Sequence, residues 1–194
     1  AEEEASAGGP EGDPDEVDEV EVGSLGPWAG GLGAEVVGFT GGIVEVRGRA
    51  ALSWWWTRRF AVGLSLAAGQ MVEQTDDELG AIRGFSIAGA AEARFAVVPP
   101  ARARRFDATV GLRVEASDRD FGADGVLGDE GALGLDVDGG VEAGVALGQG
   151  FRLRARVGLG APLIESWAEA PSGRRVVETR GARLTGSLGL AWFF

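Results

Sequence analysis

Phe151-Arg152-Leu153-Arg154-Ala155-Arg156-Val157-Gly158-Leu159 alternates, residue by residue, between apolar side chains and arginine or glycine. Successive side chains of a β-strand point to opposite faces, so a strand here has one apolar face and one charged face. A helix would mix the two sets around its circumference. The same period of two extends through Phe151–Leu163 and recurs in Val44–Trp56, Phe60–Ala68, Phe85–Val97, Phe106–Ala116, Leu133–Leu147 and Leu184–Phe194, with a weaker, glycine-rich copy at Trp28–Phe39. Eight strands are therefore expected.

The segments between them fall into two classes. Connections at 57–59, 99–105 and 148–150 are mostly short; those at about 72–81, 117–131 and 164–176 are longer and polar, and 40–42 is tight. Alternating short and long connections characterise a meander whose two ends face different surroundings. A soluble sandwich has no reason to segregate loop length this way. Several of the strands reach 11 residues or more; that exceeds the usual five or six and suits a tilted crossing of hydrocarbon. No stretch approaches the roughly 20 apolar residues of a membrane helix, so a bilayer could host this chain only as β-structure.

Alternation alone does not say which face is outside. A soluble, lipocalin-like barrel turns its apolar face inward, a membrane barrel outward. An eight-stranded barrel has an interior just wide enough for side chains to fill, and rows such as Phe151, Leu153, Val157, Leu159 and Leu163 would overfill it. The other face mixes charge with Gly, Ala, Ser and Thr. Its carboxylates are Glu35, Glu45, Glu92, Asp107, Glu115, Asp136, Asp138 and Glu142; its arginines are Arg47, Arg49, Arg94, Arg113, Arg152, Arg154, Arg156 and Arg183. Matched charge is what a dry interior needs, because an unpaired buried ion is costly. Closing a hairpin on Gly148-Gln149-Gly150 sets Arg156 opposite Glu142, Arg154 opposite Gly144 and Arg152 opposite Ala146. Pairing Phe106 with Phe95 sets Arg94 opposite Asp107 and Glu92 opposite Thr109. Arg47 and Arg49 are expected to face Gly69 and Ala67. Glycine here reads as room for guanidinium groups.

Aromatic residues give a separate indication. Trp28, Trp54, Trp56, Phe60, Phe95, Phe106, Phe151, Trp192 and Phe194 all lie beside the short turns or near the ends of the meander. On a barrel they form one ring, the girdle expected at a water–hydrocarbon boundary; Trp55 points inward in this register. The fold expected is an all-β, eight-stranded antiparallel up-and-down transmembrane β-barrel over 25–194.

The chain finishes Leu188-Gly-Leu190-Ala-Trp192-Phe-Phe194. A terminal phenylalanine preceded by alternating apolar residues resembles the C-terminal signal of bacterial outer-membrane barrels. With the strand count, residues 25–194 resemble the small eight-stranded OmpA/OmpX-type class. That resemblance implies an outer-membrane location in a Gram-negative bacterium, a monomer in the lipid bilayer, and recognition of Leu188, Leu190, Trp192 and Phe194 by periplasmic chaperones and the barrel-assembly machinery. It says little about activity. Tyrosine, common in such girdles, is absent.

Net charge is −12, yet residues 1–22 carry ten acids and no base, leaving 20 acids and 18 arginines beyond. With Pro10, Pro14 and few apolar groups, residues 1–24 are expected to form a disordered acidic periplasmic tail; a start without Met fits an export signal already removed. The absence of lysine, tyrosine and asparagine fits a GC-rich genome.

With no histidine or cysteine, disulfides, thiolate zinc sites and histidine acid–base chemistry are excluded. Outer-membrane deacylases, palmitoyltransferases, phospholipases and omptin proteases share the architecture but rely on histidine, so no enzyme activity and no cofactor are expected. Asp136 and Asp138 could act as an acid–base dyad, but pairing with arginine is the preferred reading. Asp118-Arg-Asp120-Phe-Gly-Ala-Asp124-Gly125 with Asp129 and Glu130 invites calcium; it breaks the EF-hand template and reads as a solvated loop, as does Glu73/Asp76/Asp77/Glu78. Arg152, Arg154 and Arg156 could bind an anion in a pore, though interior pairing explains them. The negative charge disfavours nucleic acid. The leading expectation is a non-enzymatic membrane protein with a charge-plugged interior, acting through outer loops or tail in structure, adhesion or docking. A narrow ion or small-solute channel comes second, and a soluble lipocalin-like binder third.

Overall fold

A computed structural model describes residues 25–194; the acidic segment expected over 1–24 lies outside the described residues. Twelve strands follow in order: β1 (Trp28–Phe39), β2 (Val44–Trp55), β3 (Phe60–Met71), β4 (Gln74–Asp76), β5 (Gly80–Val98), β6 (Phe106–Ala123), β7 (Glu130–Gly131), β8 (Leu133–Ala146), β9 (Phe151–Ile164), β10 (Trp167–Glu169), β11 (Arg175–Glu178) and β12 (Arg183–Phe193). The eight long strands pair antiparallel with their sequence neighbours, and β12 returns to β1, closing the barrel. Closure removes every long sheet edge.

Alternation sets the two faces as expected. Leu64, Leu66, Leu112, Val157, Leu159 and Leu188 face outward and are exposed, while Glu35, Arg47, Arg113, Glu115, Asp138 and Arg183 face inward and are buried. A soluble barrel with an apolar cavity requires the reverse. Along Phe106–Ala116 no outward residue is charged; with about 3.4 Å per residue and a tilt near 40°, that run spans roughly 25 Å of barrel height, the thickness of an outer-membrane apolar band.

Register follows expectation in two hairpins. Glu142 faces Arg156, Gly144 faces Arg154, Ala146 faces Arg152, and Arg47 and Arg49 face Gly69 and Ala67. Gly150, at φ 80°, takes the left-handed conformation that closes the first of these turns. The β5–β6 hairpin differs. Phe95 pairs with Val110, Arg94 with Gly111 and Glu92 with Arg113, with a bulge between Ala96 and Val98. Pairing continues to Val98 opposite Ala108, so the hairpin closes later in the chain than expected and Phe95 meets Val110 in place of Phe106. Arg152 anchors the loop by donating to the carbonyls of Ala101 (2.6 Å) and Arg104 (3.1 Å).

The long connections also depart from the expectation of polar loops. β5 begins at Gly80 and β6 continues to Ala123, so Asp118 and Asp120 sit on a strand rather than in a loop. Above the apolar band the strands keep their period while the chemistry inverts. Arg83, Asp118 and Asp120 point outward into water, and Ile82 and Phe121 point inward. That inversion makes a strand look like a loop. β7, β10 and β11 form a second, three-stranded sheet. Beneath it Val37, Phe39, Ile43, Met71, Leu79, Ile82, Phe121, Ala168, Ala170 and Val177 pack into an apolar cluster that caps this end of the interior. The connections are knitted together: Arg174 binds Asp76 (2.9 and 3.0 Å), Ser172 binds Glu78 (2.8 Å), Thr40 bonds Arg180 and Ala182, and Gln74 reaches the carbonyl of Gly42.

Candidate functional site

The barrel interior is filled by charge. The charged side chains arrive from every long strand but β3, because every second residue must point inward, and glycine on a facing strand makes room for Arg47, Arg94, Arg154 and Arg183. A Cβ on Gly69 would meet Arg47 Cγ at 2.8 Å, and one on Gly140 would meet Arg156 Cζ at 3.1 Å.

Towards the long-loop end lies a dense group. Arg47 donates to Glu35 (2.7 Å) and Glu115 (2.9 Å); Arg113 donates to Glu35 (2.7 Å) and Asp138 (2.8 Å). Arg183 reaches Glu115 (2.6 Å) and Asp138 (3.2 Å), and Arg156 reaches Asp138 (2.5 Å). Arg119 binds Glu45 (2.6 Å) and lies 3.5 Å from Asp136. Five arginines thus meet five carboxylates, Glu35, Glu45, Glu115, Asp136 and Asp138. Asp138 accepts from Arg113, Arg156 and Arg183, whereas Asp136 lies 3.5 Å from Arg119 and 4.0 Å from Arg183 with neither oxygen hydrogen-bonded.

Towards the short turns lies a second group. Arg152 and Arg154 bind Asp107 (2.6 and 3.2 Å), Arg154 also binds Glu142, and Arg94 binds Glu92 (2.5 Å) with Glu142 at 3.7 Å. Arg49 lies against Glu92. Here four arginines meet three carboxylates. Among these ion pairs only Arg49–Glu35, at 4.0 Å, joins the two groups. The expected Arg94–Asp107 pair does not form: the β5–β6 register carries Arg94 opposite Gly111, and Asp107 meets Arg152 and Arg154 instead.

Sequence reasoning missed Arg119, which is 2% exposed. Continuing the parity of Arg113 and Glu115 through Ser117 would have found it. With Arg119 included, nine interior arginines face eight carboxylates among the described residues.

The short-turn half also contains space. A cavity of about 70 Å³ is bounded by Arg49, Arg94, Glu142, Arg154 and Trp55, and on its other side by small residues including Gly31, Ala51, Ser53, Ser187 and Gly189. Trp55 and Phe193, with ring centroids 6.3 Å apart, separate it from a mouth cavity of about 340 Å³ that Arg58 and Arg104 help to line. Trp55, Phe193, Ala29, Ala61 and Ala96 form an apolar layer at this end.

On the outer surface Trp28, Trp54, Trp56, Phe60, Phe95, Phe106 and Phe151 are exposed at strand ends on the short-turn side. Trp54 stacks on Trp56 (6.1 Å), Phe60 meets Phe95 edge-on (6.4 Å), and Trp192 covers Gly30 across the β1–β12 pair. Leu188, Leu190 and Phe194 are exposed. The two ends differ in charge. The short connections carry Arg58, Arg59, Arg102, Arg104 and Arg105 and no carboxylate; the opposite end carries twelve carboxylates and four arginines. Among the described residues no group of three or more Asp, Glu, His or Cys is arranged to hold a metal ion, and the acids of 118–130 are divided among β6, the following connection and β7.

No family model and no curated protein sequence matches the chain. Its fold is similar to that of the outer membrane protein OprG from Pseudomonas aeruginosa (13% identity, 89% of this chain and 98% of that one, TM-score 0.63). It is also similar to Neisserial surface protein A (10%, 86% and 96%, TM-score 0.52) and to a major outer membrane protein from Thermus thermophilus (14%, 86% and 99%, TM-score 0.52). The chain therefore has the closed eight-stranded antiparallel fold of the small outer-membrane β-barrels.

Proposed function

We propose that the protein is a monomeric, non-enzymatic barrel of a Gram-negative outer membrane, closed to solute flow, whose working surface is the folded cap of its long connections. The observation that carries this reading is the pairing of an exposed apolar belt with an interior sealed by ion pairs and two apolar layers. The short turns and the girdle of Trp28, Trp54, Trp56, Phe60, Phe95, Phe106, Phe151, Trp192 and Phe194 face the periplasm, with the acidic N-terminal segment on that side. The cap, cross-tied through Arg174–Asp76 and Ser172–Glu78, presents a rigid acidic surface suited to a structural, adhesive or docking role. Leu188, Leu190, Trp192 and Phe194 act as the assembly signal read by periplasmic chaperones and the barrel-assembly machinery.

Three measurements test this. Protein folded in detergent migrates differently in SDS gels before and after boiling; identical mobility together with solubility in plain buffer overturns the membrane reading. In planar bilayers no steady conductance appears; a steady current lost on changing Arg154 or Arg156 overturns the closed interior in favour of a narrow channel. Deleting Phe194 slows assembly into membranes containing the assembly machinery and leaves unaided insertion into lipid vesicles unchanged.

A further inference from the structure

We propose that the short-turn half of the interior is a blind binding site for one small monovalent anion of chloride size, held by Arg49, Arg154 and the indole N–H of Trp55.

Charge, space and unmet hydrogen bonding coincide there. The long-loop group is neutral, five arginines against five carboxylates, whereas the short-turn group has four against three, so the excess positive charge lies beside the 70 Å³ cavity. Burying an uncompensated charge costs several kcal/mol. Three buried donors at the cavity have no hydrogen-bond partner: Arg49 Nε, Arg154 Nε and Trp55 Nε1. The side chains of Arg49 and Arg154 are each 9% exposed and Trp55 is 8% exposed. The carboxylates in reach are engaged, Glu142 by Arg154 and Arg94, Glu92 by Arg94 and Arg49, and the wall opposite is made of Gly, Ala, Ser and Leu residues and carries no charge.

Size and valence narrow the ligand. A water needs roughly 10–15 Å³ of such space, so 70 Å³ accepts a halide with a few waters and excludes a larger organic anion. One excess positive charge balances a monovalent ion. Water alone satisfies the donors and leaves the charge. Entry is from the short-turn side, past Trp55, through a mouth lined in part by Arg58 and Arg104. The Arg47–Glu35–Arg113 group closes the far side, so the site is a dead end rather than a pore.

The test uses the full chain in detergent micelles. Crystals soaked in sodium bromide are expected to give one anomalous peak in the cavity. Thermal unfolding at matched ionic strength is expected at a higher midpoint in chloride than in gluconate; chloride at a hundred times its Kd shifts the folded-to-unfolded ratio about 100-fold. Arg49→Gln removes the excess charge and Ala51→Leu fills the cavity with every charge retained, and each is expected to abolish the chloride dependence. Cavity density from water only, equal midpoints in both salts, or chloride dependence surviving in both variants overturns the proposal. Should Arg49→Gln not fold, the bromide experiment and Ala51→Leu decide it.

Discussion

The two halves of the barrel interior are built from the same residue types and solve different problems. In the long-loop half Arg47, Arg113, Arg119, Arg156 and Arg183 are balanced by five carboxylates, and facing glycines leave no spare volume. In the short-turn half Arg49, Arg94, Arg152 and Arg154 outnumber their partners, and small residues on β1, β2 and β12 leave a cavity. A paired interior is thus not uniform. Unmet donors occur in both halves, Arg47 Nε, Arg119 Nη2 and Arg183 Nε in the first and Arg49 Nε, Arg154 Nε and Trp55 Nε1 in the second, but in the second they stand beside an excess arginine and open space.

The sharpest way to break this contrast is Arg113→Met. Arg113 holds both Glu35 and Asp138, and removing one partner of a buried ion pair strands the others, at about 3–5 kcal/mol. Urea unfolding in lipid vesicles measures it; a loss under about 1 kcal/mol would mean that the dense group is not what holds the barrel. A matched pair of glycines comes next. A Cβ on Gly69 meets Arg47 Cγ at 2.8 Å and the carbonyl of Val46, whereas one on Gly31 meets only the carbonyl of Leu190 at 3.4 Å. Gly69→Ala is expected to cost about 1–3 kcal/mol and Gly31→Ala to be neutral or stabilising by up to about 1 kcal/mol, read from the same unfolding curves. Arg49→Gln should be milder than Arg113→Met, within about 1 kcal/mol, because Arg94 still holds Glu92. Equal losses for Arg49 and Arg113 would erase the distinction between the halves.

The smallest effect belongs to the cap. Asp76 accepts from the backbone N–H groups of Glu78 (2.9 Å) and Leu79 (3.2 Å) and from Arg174, and these bonds, led by that of Glu78, hold its carboxyl below the ordinary range. A lowered folded value stabilises the cap above the ordinary carboxylate pKa, and that contribution is lost as pH falls through the folded value. Amide exchange at Glu78 and Leu79, corrected for intrinsic rate, should lose protection there while the barrel strands keep theirs. Asp76→Asn should flatten the dependence.

Much of this molecule is written in its period of two. The parity of Arg152, Arg154 and Arg156 against Leu153 and Val157 predicts which side chains face inward, and the Gly148-Gln149-Gly150 turn predicts which strand positions meet. The reading fails where local rules change. β5 pairs with β6 as far as Val98, opposite Ala108, so that hairpin closes later in the chain than a Phe95–Phe106 pairing requires. Beyond the apolar band the outer face turns polar, so Arg119 hides in what resembles a loop. The cap of β7, β10 and β11 has too few residues per strand for any periodic pattern to show.

By itself the sequence determined the strands, their inward and outward faces and the near balance of interior charge, because each follows from side-chain alternation within one segment. Only the tertiary structure decided which arginine meets which carboxylate. Arg47 bonds Glu115, and Arg113 bonds Glu35, across the barrel between strands that are not neighbours, 68 and 78 residues apart. Such contacts depend on closure, tilt and stagger, which are set by all eight strands together. Division of the interior into a neutral half and a half with one excess arginine arises at that level.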